Sequence, residues 1–282
     1  MKILLLTILV VIFASPTVTA QKSLSASSYF KRANDRYSKG DVDGAIADFD
    51  IAITFDPQSA MTYNNRGVAR ERRGDVSGAI SDYGKAIELS PKLADAYSNR
   101  ARLRFARRDL DGARADCDSA IAINPRLARA YNTRGTILCE SGNLDAALDD
   151  FDKAIAIDPG LAESYINRGA IRRGRGDLDG ALAEYNRSIR INPRLANAYN
   201  NRGNIWRDKG QFDQAIADFS KALELNPGLA LVYASRGFVL LLQGRNAEAE
   251  KDFVECLKLD PSMKGFIEER REDAKRYLSR TR

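Results

Sequence analysis

The chain has 282 residues, with 44 lysines and arginines against 38 aspartates and glutamates, a formal net charge of +6, three cysteines and no histidine. Without histidine it lacks the commonest general base, nucleophile activator and zinc ligand, so we expect no enzyme, no cofactor and no metal site. Acidic and basic residues are interleaved along the chain, and the excess of positive charge is therefore not read as a nucleic-acid footprint.

At the start, Lys2 precedes an apolar run from Ile3 to Ala14, followed by Pro16 and the small residues Val18, Thr19 and Ala20. This pattern predicts a secretory signal over residues 1–20, cleaved after Ala20. The run is short for a membrane span, so no integral span is expected after cleavage. No cysteine follows the cleavage position, which argues against a lipid anchor. The expected location is outside the cytoplasm, periplasmic or secreted in a bacterial setting. Residues 21–25 read as a short linker.

From there a single period governs the chain. Seven of the eight prolines, Pro57, Pro91, Pro125, Pro159, Pro193, Pro227 and Pro261, stand 34 residues apart. That is the length of one helix-turn-helix unit in a stacked array. Seven gapless units follow: 26–59, 60–93, 94–127, 128–161, 162–195, 196–229 and 230–263. Position 4 is always tyrosine (Tyr29, Tyr63, Tyr97, Tyr131, Tyr165, Tyr199, Tyr233), and position 8 is glycine except for Ala33 and Ala101. Position 20 is always alanine, and position 24 holds Phe49, Tyr83, Cys117, Phe151, Tyr185, Phe219 and Phe253. Position 27 is alanine, Ser188 or Cys256. These spacings place one apolar stripe on a helical face, and the small residues at position 8 let two helices approach. Glycine near position 15 ends helix A, Asp41, Asp75, Asp109 or Asp177 can cap helix B, and the proline stops it. The chain is thus read as an all-α solenoid.

These columns resemble the tetratricopeptide repeat family, whose pattern is aromatic at 4, Gly or Ala at 8, Ala at 20, aromatic at 24, Ala at 27 and Pro at 32. The resemblance implies a right-handed superhelical solenoid of seven 34-residue helix-turn-helix repeats. It departs from the commonest pattern at position 7, where leucine is replaced by Arg32, Arg66, Arg100, Arg134, Arg168, Arg202 and Arg236. Position 23 is acidic in all seven units, with Asp48, Asp82, Asp116, Asp150, Glu184, Asp218 and Asp252. An ion pair within each repeat is expected, as a structural rung and not a site.

The tail, 264–282, carries Phe266, Ile267, Ala274, Tyr277 and Leu278 among many charges. It reads as a C-terminal capping helix with a basic tail. Cys117 and Cys256 fall on core positions, whereas Cys139 is expected to face outward on helix A. Glycines recur once per turn-around, with no phosphate-cradling cluster.

In folds of the resembled family, helix A positions 2, 5, 6, 9, 12 and 13 line a concave groove. Position 6 reads Lys31, Asn65, Asn99, Thr133, Asn167, Asn201 and Ser235, a ladder of amides and hydroxyls. An asparagine amide offers a donor and an acceptor and can bond a peptide backbone whatever its side chains. Asparagine at position 6 is also common in the family at large, so the ladder is equally open to simple inheritance. Four such amides at about 0.5 to 1.5 kcal/mol each fall short of the roughly 8 kcal/mol of micromolar binding, so side-chain pockets must contribute. One candidate is the junction of Asn200, Asn201, Asn204 and Arg207 with Leu231 and Phe238, exposed or else covered by the terminal helix. A second is Asn99, Arg102 and Phe105 beside Asn132. Position 5 lacks the lysine of a carboxylate clamp. The expected function is a non-catalytic exported scaffold that binds an extended segment of a partner protein, with no nucleic-acid partner and no small-molecule substrate. The alternatives are an assembly factor docking through convex or end-repeat surfaces, and a non-catalytic subunit of an enzyme complex.

Overall fold

The computed structural model describes residues 25–281. The expected signal over residues 1–20 and most of the linker lie outside them. Among the described residues the chain is all-α, with fifteen α-helices, one 3₁₀ turn and no strand. It divides into two compact units, the first ending at Leu89 and the second beginning at Ser90.

The first unit holds two helix pairs, α1 (Ala26–Ser38) with α2 (Val42–Phe55) and α3 (Ala60–Arg73) with α4 (Val76–Leu89). The second holds five pairs: α5 (Ala94–Ala106) with α6 (Leu110–Ile123), α7 (Ala128–Glu140) with α8 (Leu144–Ile157), α9 (Ala162–Gly174) with α10 (Leu178–Ile191), α11 (Ala196–Asp208) with α12 (Phe212–Leu225), and α13 (Ala230–Leu242) with α14 (Asn246–Leu259). A 3₁₀ turn, Pro261–Met263, leads into α15 (Lys264–Thr281).

Local chemistry sets the helix ends. Asp41, Asp109 and Asp177 accept from the backbone N–H three residues on, satisfying a donor that the first helical turn leaves unpaired. Turn-around glycines such as Gly74 have positive φ, here 90°, which an L side chain adopts at a cost. The third repeat departs from this rule, because Arg108 stands in the left-handed region with φ 66°.

Close helix approach follows from position 8. A Cβ on Gly67 would lie 2.7 Å from the Tyr83 ring, and one on Gly135 2.7 Å from Phe151. Tyr83 and Phe151 are wholly buried, each worth about 1.5 to 3 kcal/mol of apolar burial. The glycine of one helix is therefore the socket for the aromatic of the next.

The expected rungs are present in all seven repeats. Each position-7 arginine bonds the acid sixteen residues on, at 2.5 to 2.9 Å, and lies over the tyrosine three residues before it. Within each unit the rungs also join neighbouring repeats: Arg66 reaches Asp50, Arg134 reaches Asp118, and Arg168 reaches Asp152. Glu184 is the one rung acid with an extra methylene, and Arg168 Nε is buried without a partner.

α15 packs on α13 and α14 through Ile267, which is nearly inaccessible, and Ala274 further along the helix is buried as well. Arg270 stands 34 residues after Arg236, so α15 continues the position-7 column as an eighth helix A. It donates to Asp273 of its own helix and stacks on Phe238 and Phe266.

Candidate functional site

The amides expected to form the ladder are placed by helix A of each repeat, and much of their bonding capacity is spent within the protein. In the first unit, Asn65 Nδ2 donates to Asn34 Oδ1 at 3.0 Å, and its Oδ1 accepts from Asn64 at 3.1 Å. Both ends of the Asn65 amide are thereby engaged. In the second unit, α5, α7, α9, α11 and α13 stand side by side. Asn167 on α9 donates to Asn132 Oδ1 and Thr136 Oγ1 on α7, at 3.2 and 3.3 Å. Asn132 Oδ1 also accepts from Ser164. These bonds tie one repeat to the next, a structural use of the ladder that position alone does not reveal.

On α11 the arrangement is more open. Asn200 donates to Asn201 Oδ1 at 3.3 Å, while Asn200 Oδ1 is buried without a partner. Asn204 donates to the Asn200 carbonyl. Arg207 donates twice to Asp208, and Arg173 of α9 donates twice to the same carboxylate. Burial alone would push the Asp208 carboxyl up, but the hydrogen bonds from Arg207 and Arg173 outweigh it and hold the group below the ordinary carboxylate range. One anion thus faces two cations.

At the end of the array, part of the expected hot spot is covered. Leu231 is 53% exposed, but Phe238 is half-buried beneath Arg270 of α15, and Leu241 packs into the core shared by α13, α14 and α15. The terminal helix covers the inner part of this apolar patch because its arginine side chain is long enough to lie flat on the ring. At the second candidate, Arg102 is exposed on α5, and Phe105 packs against Ala101, Ala113, Cys117 and Ile137. Phe105 therefore belongs partly to the core.

Two cavities open on the helix A face, one on each side of α9. The first, about 350 Å³, is lined by Thr136, Cys139, Leu144, Phe151, Asn167, Ala170, Ile171, Gly174 and Arg175. The second, about 370 Å³, is lined by Ala170, Arg173, Gly174, Leu178, Tyr185, Asn201 and Asp208. Both reach a ladder asparagine, and both exist because Ala170 and Gly174 are small. Cys139 is not simply outward-facing: it is half-buried in the first cavity, and burial raises its thiol pKa. Sequence reasoning passed over Ala170, Gly174, Arg173 and Asp208. A signal was available at position 9, where Asn34, Val68, Arg102, Thr136, Asn204 and Phe238 are all larger than Ala170. No group of three or more metal-ligating side chains is assembled among the described residues, and no described helix is long and apolar enough to cross a membrane.

Models of the tetratricopeptide repeat match residues 30–94, 75–128, 128–161, 196–229 and 230–263, and a TPR repeat model matches 169–206. No curated protein matches the chain. Among solved structures, a tetratricopeptide repeat protein from Parabacteroides merdae is 23% identical, with a TM-score of 0.63 over 88% of this chain and 98% of its own. A chain of the APC/C hetero-tetramer Cut9-Hcn1 is 17% identical with a TM-score of 0.79, over 88% of this chain and 49% of its own. Pseudomonas aeruginosa pilF is 18% identical with a TM-score of 0.63, over 72% and 92%. At these identities the likeness is one of fold.

Proposed function

Because the chain belongs to the tetratricopeptide repeat family, a fold that serves as a protein-interaction scaffold, we propose that it is an exported, non-catalytic member that holds an extended segment of a partner protein on its helix A face. The observation that carries this reading is the pair of cavities flanking α9, each reaching a ladder amide, Asn167 in one and Asn201 in the other. Half-buried amides beside hollows that can admit side chains are what an extended peptide needs: backbone bonds for affinity and pockets for selectivity. Helical repeats supply a surface and no reaction of their own.

The test is capture from an envelope extract on the purified chain, beside an Asn167→Ala, Asn201→Ala variant, with bound proteins identified by mass spectrometry. A protein retained by the parent and lost by the variant, at an unchanged circular-dichroism melt, supports the reading. Equal retention moves binding off this face. Export is checked separately, by the mass of the N-terminus recovered from the envelope fraction, which should begin at Gln21.

A second reading, an assembly factor docking through helix B surfaces, draws on Val254 and Leu259 of α14, which are 49% and 46% exposed. Substituting both with serine would abolish capture under that reading and leave it intact under the first.

A further inference from the structure

The two cavities beside α9 share a floor and differ in chemistry. Ala170 and Gly174 are one helical turn apart on the same face and line both hollows, so nothing longer than a methyl group stands between them on that helix. On the α7 side the wall is apolar, with Leu144, Phe151 and Ile171 around the Cys139 thiol. On the α11 side the wall carries Arg173 and Asp208, and Asp208 also binds Arg207, which leaves a local surplus of one positive charge. Volumes of about 350 and 370 Å³ lie at the small end of the range for ligand pockets, with room in each for a whole side chain.

We propose that this notch is a specificity site that reads two side chains of one extended partner segment, an aliphatic residue of leucine or methionine size on the α7 side and an acidic residue on the α11 side. The proposal rests on the helix A face being the binding face. In an extended chain, residues i and i+2 point the same way at roughly 6.6 Å separation, so a segment crossing α9 over Ala170 and Gly174 delivers one side chain to each hollow. The apolar side chain loses water against the exposed surfaces of Leu144 and Ala170, over a base closed by the buried Phe151 and Ile171. The carboxylate meets Arg173, and the Asn201 amide N–H groups, which donate no hydrogen bond among the described residues, stand on the same wall.

The experiment pans a displayed library of random dodecapeptides against the full chain and against Ala170→Leu, Cys139→Phe and Arg173→Gln variants. A peptide selected by the parent is then synthesised and titrated by fluorescence anisotropy. The parent should enrich Leu or Met two residues from Asp or Glu. Ala170→Leu and Cys139→Phe fill the apolar hollow from opposite walls and should each weaken the synthetic peptide at least tenfold, with unchanged melts. Arg173→Gln should remove the acidic preference and keep the aliphatic one. If Ala170→Leu lowers the melt, Cys139→Phe decides alone. Selected peptides that lack the pairing, or that bind the filled variants as well as the parent, overturn the notch and leave the groove reading standing. Failure of the parent to select any peptide overturns both.

Discussion

Arg134 and Asp150 face each other across α7 and α8 in a two-point pair, Nε to Oδ2 at 2.7 Å and Nη2 to Oδ1 at 2.8 Å, while Arg134 Nη1 reaches Asp118 of the preceding repeat at 2.7 Å. The Asp150 side chain is only 4% exposed. Such a pair contributes little net stability, because removing two charges from water offsets their attraction, yet it specifies how the helices align. Repeated down the chain, it sets the register of each helix pair.

Removing one partner should therefore cost far more than removing both. Asp150→Ala leaves the guanidinium without its two-point partner and should destabilise by about 3 kcal/mol. The double change Arg134→Met, Asp150→Leu should cost clearly less. Urea midpoints for both variants check this, and a double variant at least as unstable as the single would show that the pair stabilises outright.

Arg168 Nε is buried without a partner beside Glu184. Glu184→Asp gives this rung the shorter carboxylate that the other six have, and should raise stability by about 1 kcal/mol as Nε gains an acceptor. The same substitution in reverse, Asp218→Glu, should lower it. Chemical denaturation of the two variants side by side reads the sign directly.

Acid should weaken the fold in a defined window. The Asp48 carboxyl is held below its ordinary value chiefly by the hydrogen bond from Arg32, against the upward push of burial, and Asp208 is held low in spite of burial by Arg207 and Arg173. Each group binds its proton less tightly folded than unfolded. Its stabilisation is therefore complete above the unfolded value of about 4 and is lost as pH falls through the lower folded value. Thermal midpoints should be level from pH 7 to about 5 and drop below about 4, and Asp48→Asn should lower the plateau while making the acid limb shallower.

Arg108 occupies the left-handed conformation that glycine takes in the other six turn-arounds, and its Nη1 bonds Glu140 at 2.6 and 2.8 Å. The exposed pair is worth about 0 to 1 kcal/mol, against a conformational cost of roughly 1 to 2 kcal/mol for an L residue there. Arg108→Gly should consequently be more stable than Arg108→Ala by about 1 kcal/mol, the reverse of the order at a helical position. Melting curves of the two variants settle the order.

How much was legible in the sequence can be seen column by column. The period of the prolines, the alternation of small and aromatic residues at positions 8 and 24, and the paired charges at positions 7 and 23 each repeat seven times. Each depends on contacts between residues at most sixteen apart, so all three could be read without coordinates. The ladder of position-6 amides was legible as a column but not as a bonding pattern: Asn65 bonds Asn34 and Asn167 bonds Asn132, partners 31 and 35 residues away on the preceding helix A. Phe238 likewise read as open or covered with equal force, since its cover is Arg270, from the terminal helix that follows the seventh repeat.

By itself the sequence determined the repeat, its helix pairs and its rungs, because these are local interactions that a 34-residue period states over and over. Only the tertiary structure decided which groove residues remain available. Side-by-side packing of α7, α9 and α11 consumes some amides, lays Arg173 on Asp208, and turns the small Ala170 and Gly174 into hollows. A cavity is the space that several helices leave unfilled together, and no single column of the repeat records it.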